Sequence, residues 1–574
     1  MAKKVPVKKT FTPKPAVKAD NKSNAVSSSI FDGLEKHFAS RRKFYVFALL
    51  LITILFSFLC FDTKISTAND DALYIEAGAS YAKDFFGYFY LANAPLYPMI
   101  LGLLIKIFGV KLLVLKLFSV VFFVAAIYVI FRAFENRIPY VVLIPSLLLT
   151  AINFPFLMYA SLTYTETFSL LVFGACLWWL FRFFESTEKE GYQVNQQLPQ
   201  FLIIGFLFFW MMITRNVALA AIGILAVFFI YRKRFAEAAA SVVSFGIFYL
   251  LYRLTLKYIW KIDGSQFASQ GKLMFQKDAY QPQLGNETMW GFVIRFWENC
   301  QIYISSRFYY VLGFREEMSP NSIALTLITI GILLWSLVLM HKKKQYTLIF
   351  TTLFYAGLLA VTFVSLHTSW GQTRLIMLFL PFILFTFFYL IYYYSVQLEI
   401  LQYLYLVVVL ILFLKSFTLT AMQAKERFPV FTENIGGDAT FGYTPDWQNY
   451  IKMTKWCAEN LPKENIAVRK APMSFIFSEG KEFYPIYNTP TENPDSLLIP
   501  LRSAKVNYIM PAELRANPAT YIEGQIIGTV HRYMYYVMTK YPDAFEFVHQ
   551  EGDLEKAQLY RIKWNYIDSI QGKK

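Results

Sequence analysis

Cysteine and histidine are scarce in this chain, four and five among 574 residues. Four cysteines cannot build the disulfide framework that holds a small secreted domain. Cys60 and Cys176 lie inside apolar runs and read as small core residues. Cys300 and Cys457 fall on one side of the membrane in the topology below, and a bond between them stays open. None of the histidines, His37, His341, His367, His531 and His549, forms a ligand-spaced pair such as HExxH. That argues against a zinc site built by the protein alone, with His367 left as a residue to place relative to Glu166. No P-loop, dinucleotide-binding glycine fingerprint or serine nucleophile elbow occurs in a suitable context. A cleavable signal peptide is also missing. The basic, proline- and serine-rich start has no apolar core, and residues 1–43 read as a disordered cytoplasmic tail.

Apolar residues are abundant instead, at 56% of the chain, with 19% aromatic and only 16% charged. The mean hydropathy is +0.39. Runs of membrane-spanning length cover residues 44–61, 112–134, 140–159, 165–184, 201–214, 217–231, 236–258, 323–340, 346–366, 375–394 and 400–420. This predicts about eleven spans at the usual ~20 residues each. A net charge of +16 is explained by topology, not by nucleic acid. Arg41-Arg42-Lys43, Arg132 with Arg137, Arg182, Arg232-Lys233-Arg234 and Lys342-Lys343-Lys344 all fall in cytoplasmic loops once the N-terminus is placed inside. The outer side then holds loops 62–111 and 260–320 and the tail 421–574, read as a small α/β domain. Within that tail the pattern predicts a helix from Trp447 and strands at 466–468, 474–477 and 506–510. In the first outer loop, 72–85 and 96–108 read as amphipathic surface helices.

The acidic pair Asp70-Asp71 directly follows the first apolar run, in Asn69-Asp70-Asp71-Ala72-Leu73-Tyr74. Carboxylates beside a bilayer must be solvated, paired or used. They serve equally as a cap for the helix that follows and as a general base that takes a proton from an acceptor hydroxyl. Glu166, at the outer end of the fourth run, lies on the same side. It answers a helix dipole, positions an acceptor, or contributes oxygen to a divalent cation; the sequence permits such a metal without requiring it. Arg215, Arg374 with Gln372 and Trp370, and the loop cations Arg295, Arg307, Arg315 and Lys272 are also outside. Arginine at an outer helix end is an exception to the positive-inside rule, and its planar fork matches phosphate. Snorkelling or a salt bridge to the acids is the plainer reading.

Together these residues resemble a GT-C membrane glycosyltransferase, of the branch holding protein O-mannosyltransferases and aminoarabinose-to-lipid-A transferases. The resemblance covers about 44–420. It rests on Asp70-Asp71-Ala72-Leu73-Tyr74, on Ala94-Pro95-Leu96-Tyr97-Pro98 through Phe108-Gly109, and on Glu166, Arg215 and Arg374 with Pro381. Two positions depart from that branch: Asp71 stands for the usual glutamate, and Ala94 for a basic residue. The resemblance implies a polyprenyl-phosphate sugar donor and reaction on the non-cytoplasmic face of a bacterial-type plasma membrane. It implies Asp70 as catalytic base with Asp71 and Glu166 shaping the site. Arg215, Arg374, Arg307, Tyr74 and Gln372 would meet substrate or phosphate. The acceptor would be a lipid, glycan or protein hydroxyl. A transporter or flippase of a lipid-linked glycan is the alternative; it should show internal repeats and polar mid-membrane helices, and neither is evident.

Overall fold

The computed structural model describes residues 29–66, 70–188, 191–262, 274–278 and 284–572. Among the described residues, eight helices are long and apolar enough to cross a membrane: Arg42–Leu59, Leu112–Phe134, Thr165–Thr187, Val194–Thr214, Phe235–Tyr258, Ile323–Lys342, Tyr346–Ser365 and Glu399–Ile435. A ninth is a pair, Tyr140–Ala151 and Phe154–Ala160, bent by 58°. The break has a local cause, because Asn153 caps the second helix through Phe156 N–H (3.4 Å) and Pro155 sits in its first turn. The two remaining runs are the shorter helices Ala220–Tyr231 and Leu380–Ser395. By length and composition the count is therefore eight or nine, against eleven from sequence.

Two features shift the domain boundaries read from sequence. Ile30–Ser40 is a helix inside the stretch assigned to a disordered tail; residues 1–28 lie outside the described residues. Phe31 stacks on Tyr392 (5.4 Å) and meets Tyr405 edge-on (5.2 Å). Glu35 accepts the N–H groups of Tyr140 and Val141 (2.9 and 3.1 Å), satisfying the open end of that helix. At the other end, the last span does not stop near Thr420. It runs to Ile435, about 55 Å at 1.5 Å per residue, well past a hydrocarbon core of ~30 Å.

The terminal unit holds a five-stranded sheet of order β2-β1-β3-β5-β4, with β1 Asn465–Val468, β2 Tyr484–Pro485, β3 Val506–Met510, β4 Phe545–Glu551 and β5 Ala557–Ile562. β1 runs parallel to β2 and β3, while β3–β5 and β5–β4 are antiparallel. Side-chain alternation along the strands feeds two cores. Ile466, Val468 and Leu559 join the core continuous with the helical bundle, while Ala467 and Ile509 join a separate cluster under Pro494–Ser503 and Thr529–Lys540. The run 474–477 is not a strand. It completes the helix Ala471–Phe477, which Pro472 opens in its first turn.

The surface helices Asp70–Lys83 and Leu96–Phe108 form as expected and pack through glycine. A Cβ built on Gly102 would lie 2.8 Å from Tyr81 Cβ and 2.9 Å from the Gly78 carbonyl. Gly102→Ala should therefore lower stability by about 1–3 kcal/mol through overpacking. Gly223→Ala, with nothing within 4 Å of the added carbon, should leave it level or raise it. Thermal midpoints of the two purified variants check this, and equal midpoints would refute the close-crossing argument.

Candidate functional site

The link between the first span and the surface helix is held from below by a buried lysine. Lys116, inside Leu112–Phe134 and fully buried, donates to the Asp62 carbonyl (2.7 Å) and to the Lys64 carbonyl. Arg427, on the long last helix, pairs with the Asp62 carboxylate at 2.7 Å. Burial works against that carboxylate, but Lys116 and Arg427 outweigh it and hold Asp62 below the usual carboxylate range. Asp71 belongs to the same scaffold and not to an open surface. It is 0% exposed, and its oxygens accept Ser66 N–H and Ala72 N–H at 3.0 Å. Burial pushes its carboxyl above the ordinary value. The cap that Asn69 would supply lies outside the described residues.

With Asp71 turned inward, its neighbour, about 100° further round the helix, faces outward. Asp70 lines a cavity of about 510 Å³ together with Arg374, Gln372, Tyr159 and Tyr164. Its carboxylate is 3.1 Å from Arg374 Nη2. Arg374 Nε donates to Gln372 Oε1 (2.6 Å) and lies 3.9 Å from Glu166, whose Oε1 also accepts from Arg215 at 3.3 Å. The Tyr164 ring sits under the Arg374 guanidinium at 4.9 Å. Burial opposes the Arg374 charge, but Glu166 and the surrounding tyrosines more than offset it, so the side chain stays protonated. Glu166 is 1% exposed, and its Oε2 has no hydrogen-bond partner. Asp70, Glu166, Arg215 and Arg374 thus form one cluster of two acids and two bases.

The other sequence candidates are placed differently. Tyr74 is buried behind the cluster, its ring 5.7 Å from Tyr97 and 6.4 Å from Tyr164, and it does not line the cavity. Arg307 belongs to a second cavity, described below. Arg295 pairs with Glu287 at 3.0 Å, and Arg315 donates to the carbonyls of Ser305 and Pro320. Lys272 lies outside the described residues. Cys300 and Cys457 are both buried free thiols. His367 packs edge-on against Trp370 at 5.1 Å. No group of three His, Cys, Asp or Glu able to hold a metal occurs among the described residues. The Arg374 guanidinium occupies the space between Asp70 and Glu166 that a cation would need. These residues do not fit a divalent ion as they stand.

Sequence reasoning missed the residues that close the cavity. Tyr443, Thr444 and Trp447 come from the terminal unit. Tyr443 Oη accepts Ile65 N–H at 2.8 Å, and Lys64 Nζ reaches the Gly442 carbonyl at 3.0 Å. Nothing local in that stretch marks it as part of a site. Lys116 did carry a signal, since an isolated charge inside an apolar run demands a partner.

No family model and no curated protein sequence matches this chain. Solved structures do. The oligosaccharyltransferase of Archaeoglobus fulgidus, solved with zinc and sulfate, superposes with a TM-score of 0.52 at 11% identity over 81% of this chain and 67% of that one. ArnT of Cupriavidus metallidurans bound to undecaprenyl phosphate gives 0.50 at 12% identity over 90% and 98%. The fold is GT-C. In this chain the cluster joins the first surface helix, the fourth apolar run and the segments before the sixth and tenth, so distant parts of the bundle depend on it.

Lys116→Met should free the 62–66 link and cost about 3–5 kcal/mol, the usual penalty for removing one partner of a buried charged group. Faster amide exchange at Ile65 and Ser66, with a lower thermal midpoint, is the expected result. Unchanged exchange there would show that the link is held by something else.

Proposed function

We propose that the chain transfers a sugar from a polyprenyl-phosphate donor to an acceptor hydroxyl, with inversion, at the outer face of the membrane. The observation that carries this reading is a half-exposed Asp70 carboxylate 3.1 Å from Arg374, both opening on one cavity. Asp70 takes the proton of the acceptor hydroxyl as its oxygen bonds to the anomeric carbon. The bond from that carbon to the phosphate oxygen breaks, and the electron pair leaves on the lipid phosphate. Arg374 and Arg215 stabilise that oxygen.

Charge bookkeeping supports the pairing. At rest the two acids and two bases sum to zero. When Asp70 is protonated the cluster becomes positive by one, at the step in which the departing phosphate gains one negative charge. No strong general acid is needed, because phosphate is a good leaving group. Glu166 ties Arg215 to Arg374, which lines the cavity, and Gln372 fixes the Arg374 fork. The GT-C fold supports the reaction class, and the undecaprenyl phosphate in the ArnT structure supports the donor type. The basic loops support an inside N-terminus, which puts Asp70, the terminal unit and the reaction on the periplasmic or extracellular side.

Asp70→Asn should lower transfer from a polyprenyl-phosphate sugar by about 10²–10⁴-fold, the usual contribution of a general base, with membrane expression unchanged. Arg374→Met should weaken binding of undecaprenyl phosphate at least tenfold. Radiolabelled sugar transfer and lipid-phosphate binding by the purified full chain check the two. Undiminished turnover in Asp70→Asn would overturn the base assignment.

A further inference from the structure

A second cavity, about 540 Å³, lies beside the first, and Gln372 lines both. Its volume is within the ~300–1,000 Å³ of small-molecule sites. Its main charged group is Arg307, 7% exposed, at the end of the π-helical turn Gln301–Arg307. Such turns recur at functional sites because they displace one residue from the helical register. Arg307 Nε donates to the Gly371 carbonyl at 2.8 Å. Nη2 meets only the Met318 sulfur, at 3.4 Å, a weak acceptor. Nη1 is buried without a partner. No carboxylate lies within ion-pair distance of Arg307 among the described residues, in contrast to Arg215 and Arg374.

A buried guanidinium with one strong hydrogen bond is a costly arrangement. An anion arriving in the cavity would relieve it. Met318, 82% exposed, blocks the fork with a flexible side chain that such an anion can push aside. The remaining walls indicate what carries the charge. Ser319, Asn321, Thr368 and Ser369 supply short hydroxyl and amide groups, and Trp370 supplies an aromatic ring. Polar groups with an indole suit a saccharide, whose hydroxyls hydrogen-bond while its C–H face packs on the ring. Ile302 and Met318 are the only large aliphatic side chains in the lining, which disfavours a polyprenyl chain.

We infer that this cavity is a binding subsite for an anionic saccharide, a sugar bearing a carboxylate or a phosphate, with Arg307 as its charge-reading residue. Calling that sugar the acceptor rests on the transferase reading above; its binding does not. Through Gln372 the subsite adjoins the Asp70 cavity, so a glycan held by its acidic unit presents a neighbouring hydroxyl toward the base.

The test is equilibrium binding to the purified full chain in nanodiscs. The probes are a glucuronic acid–glucose disaccharide, glucose 6-phosphate, neutral cellobiose and inorganic phosphate. An acidic sugar should bind at least tenfold more tightly than cellobiose and than inorganic phosphate. The tighter of the two acidic probes identifies carboxylate or phosphate as the natural charge. Arg307→Met should abolish the preference, and Arg307→Lys should keep part of it. Should Arg307→Met fail to fold, the exposed Asn321→Ala and the ring-deleting Trp370→Ala decide, each expected to weaken the acidic sugar at least threefold at an unchanged thermal midpoint. Asp70→Asn should leave this binding intact. Equal affinity for acidic and neutral sugars overturns the inference, as does a preference that survives Arg307→Met or unaltered binding in both Asn321→Ala and Trp370→Ala. Inorganic phosphate binding as tightly as the sugars does the same. Transfer that persists in Asp70→Asn alongside an Arg307-dependent preference removes the catalytic reading and leaves the subsite standing.

Discussion

A buried carboxylate shared by two arginines holds the mouth of this bundle together. Glu166 is almost wholly removed from water, so its charge is tolerated only because Arg215 and Arg374 neutralise it. Those arginines stand ahead of two short apolar helices that break or begin beside the cavity. The pairing therefore fixes where those helices start. It also leaves Arg374 with a fork that reaches Asp70. One interaction thus sets local architecture and places a cation next to the half-exposed acid. Removing Glu166 or either arginine leaves an unpaired charge in a poorly solvated place, so these three groups act as a unit whose contributions should not add.

Beneath that cluster a second set of charges does different work. Lys116, Asp62 and Arg427 tie the first loop to the second span and to the long last helix. Asp71 closes the same loop through Ser66 N–H. Two adjacent aspartates are thereby divided between tasks by helix geometry. Consecutive side chains leave a helix about 100° apart, so burying Asp71 turns Asp70 outward. The terminal unit completes the arrangement, because Tyr443 and Trp447 wall the cavity while Tyr443 holds the loop backbone. A sheet domain joined to the bundle through one continuous core shares its stability with the site.

Much of the bundle was legible from apolar periodicity and length alone. Every apolar run coincides with a helix, and the two surface helices fall within a few residues of their expected bounds. The errors are specific. The span count differs where Asn153 and Pro155 bend one pair and where the sixth and tenth runs form the shorter helices Ala220–Tyr231 and Leu380–Ser395, since hydropathy windows do not register caps or breaks. The strand expected at 474–477 is helical because four apolar residues fit either state, and Pro472 decides locally. Of the candidate cluster, Asp70, Glu166, Arg215, Arg374 and Gln372 stood out in sequence because each is polar at the edge of an apolar run, and the structure brings them together. Tyr443 and Trp447 were not, as their role arises from a tertiary contact with no local signature. Local sequence does not separate Asp71 from Asp70; the resemblance alone gave them different roles, and the structure adds that Asp71 is buried.

The two cavities differ in charge more than in size, and that difference constrains how they divide a substrate. In the first, each arginine already has a carboxylate, so the site is neutral until a proton moves. Such a site discriminates weakly between charged and uncharged ligands in the ground state and strongly once charge develops. In the second, Arg307 has no counter-ion among the described residues, so its preference for an anion is present before any reaction. Permanent attraction suits recognition, and conditional attraction suits catalysis. Gln372 lines both cavities, so on the proposed reading one extended ligand would be held by the first kind of force and transformed under the second.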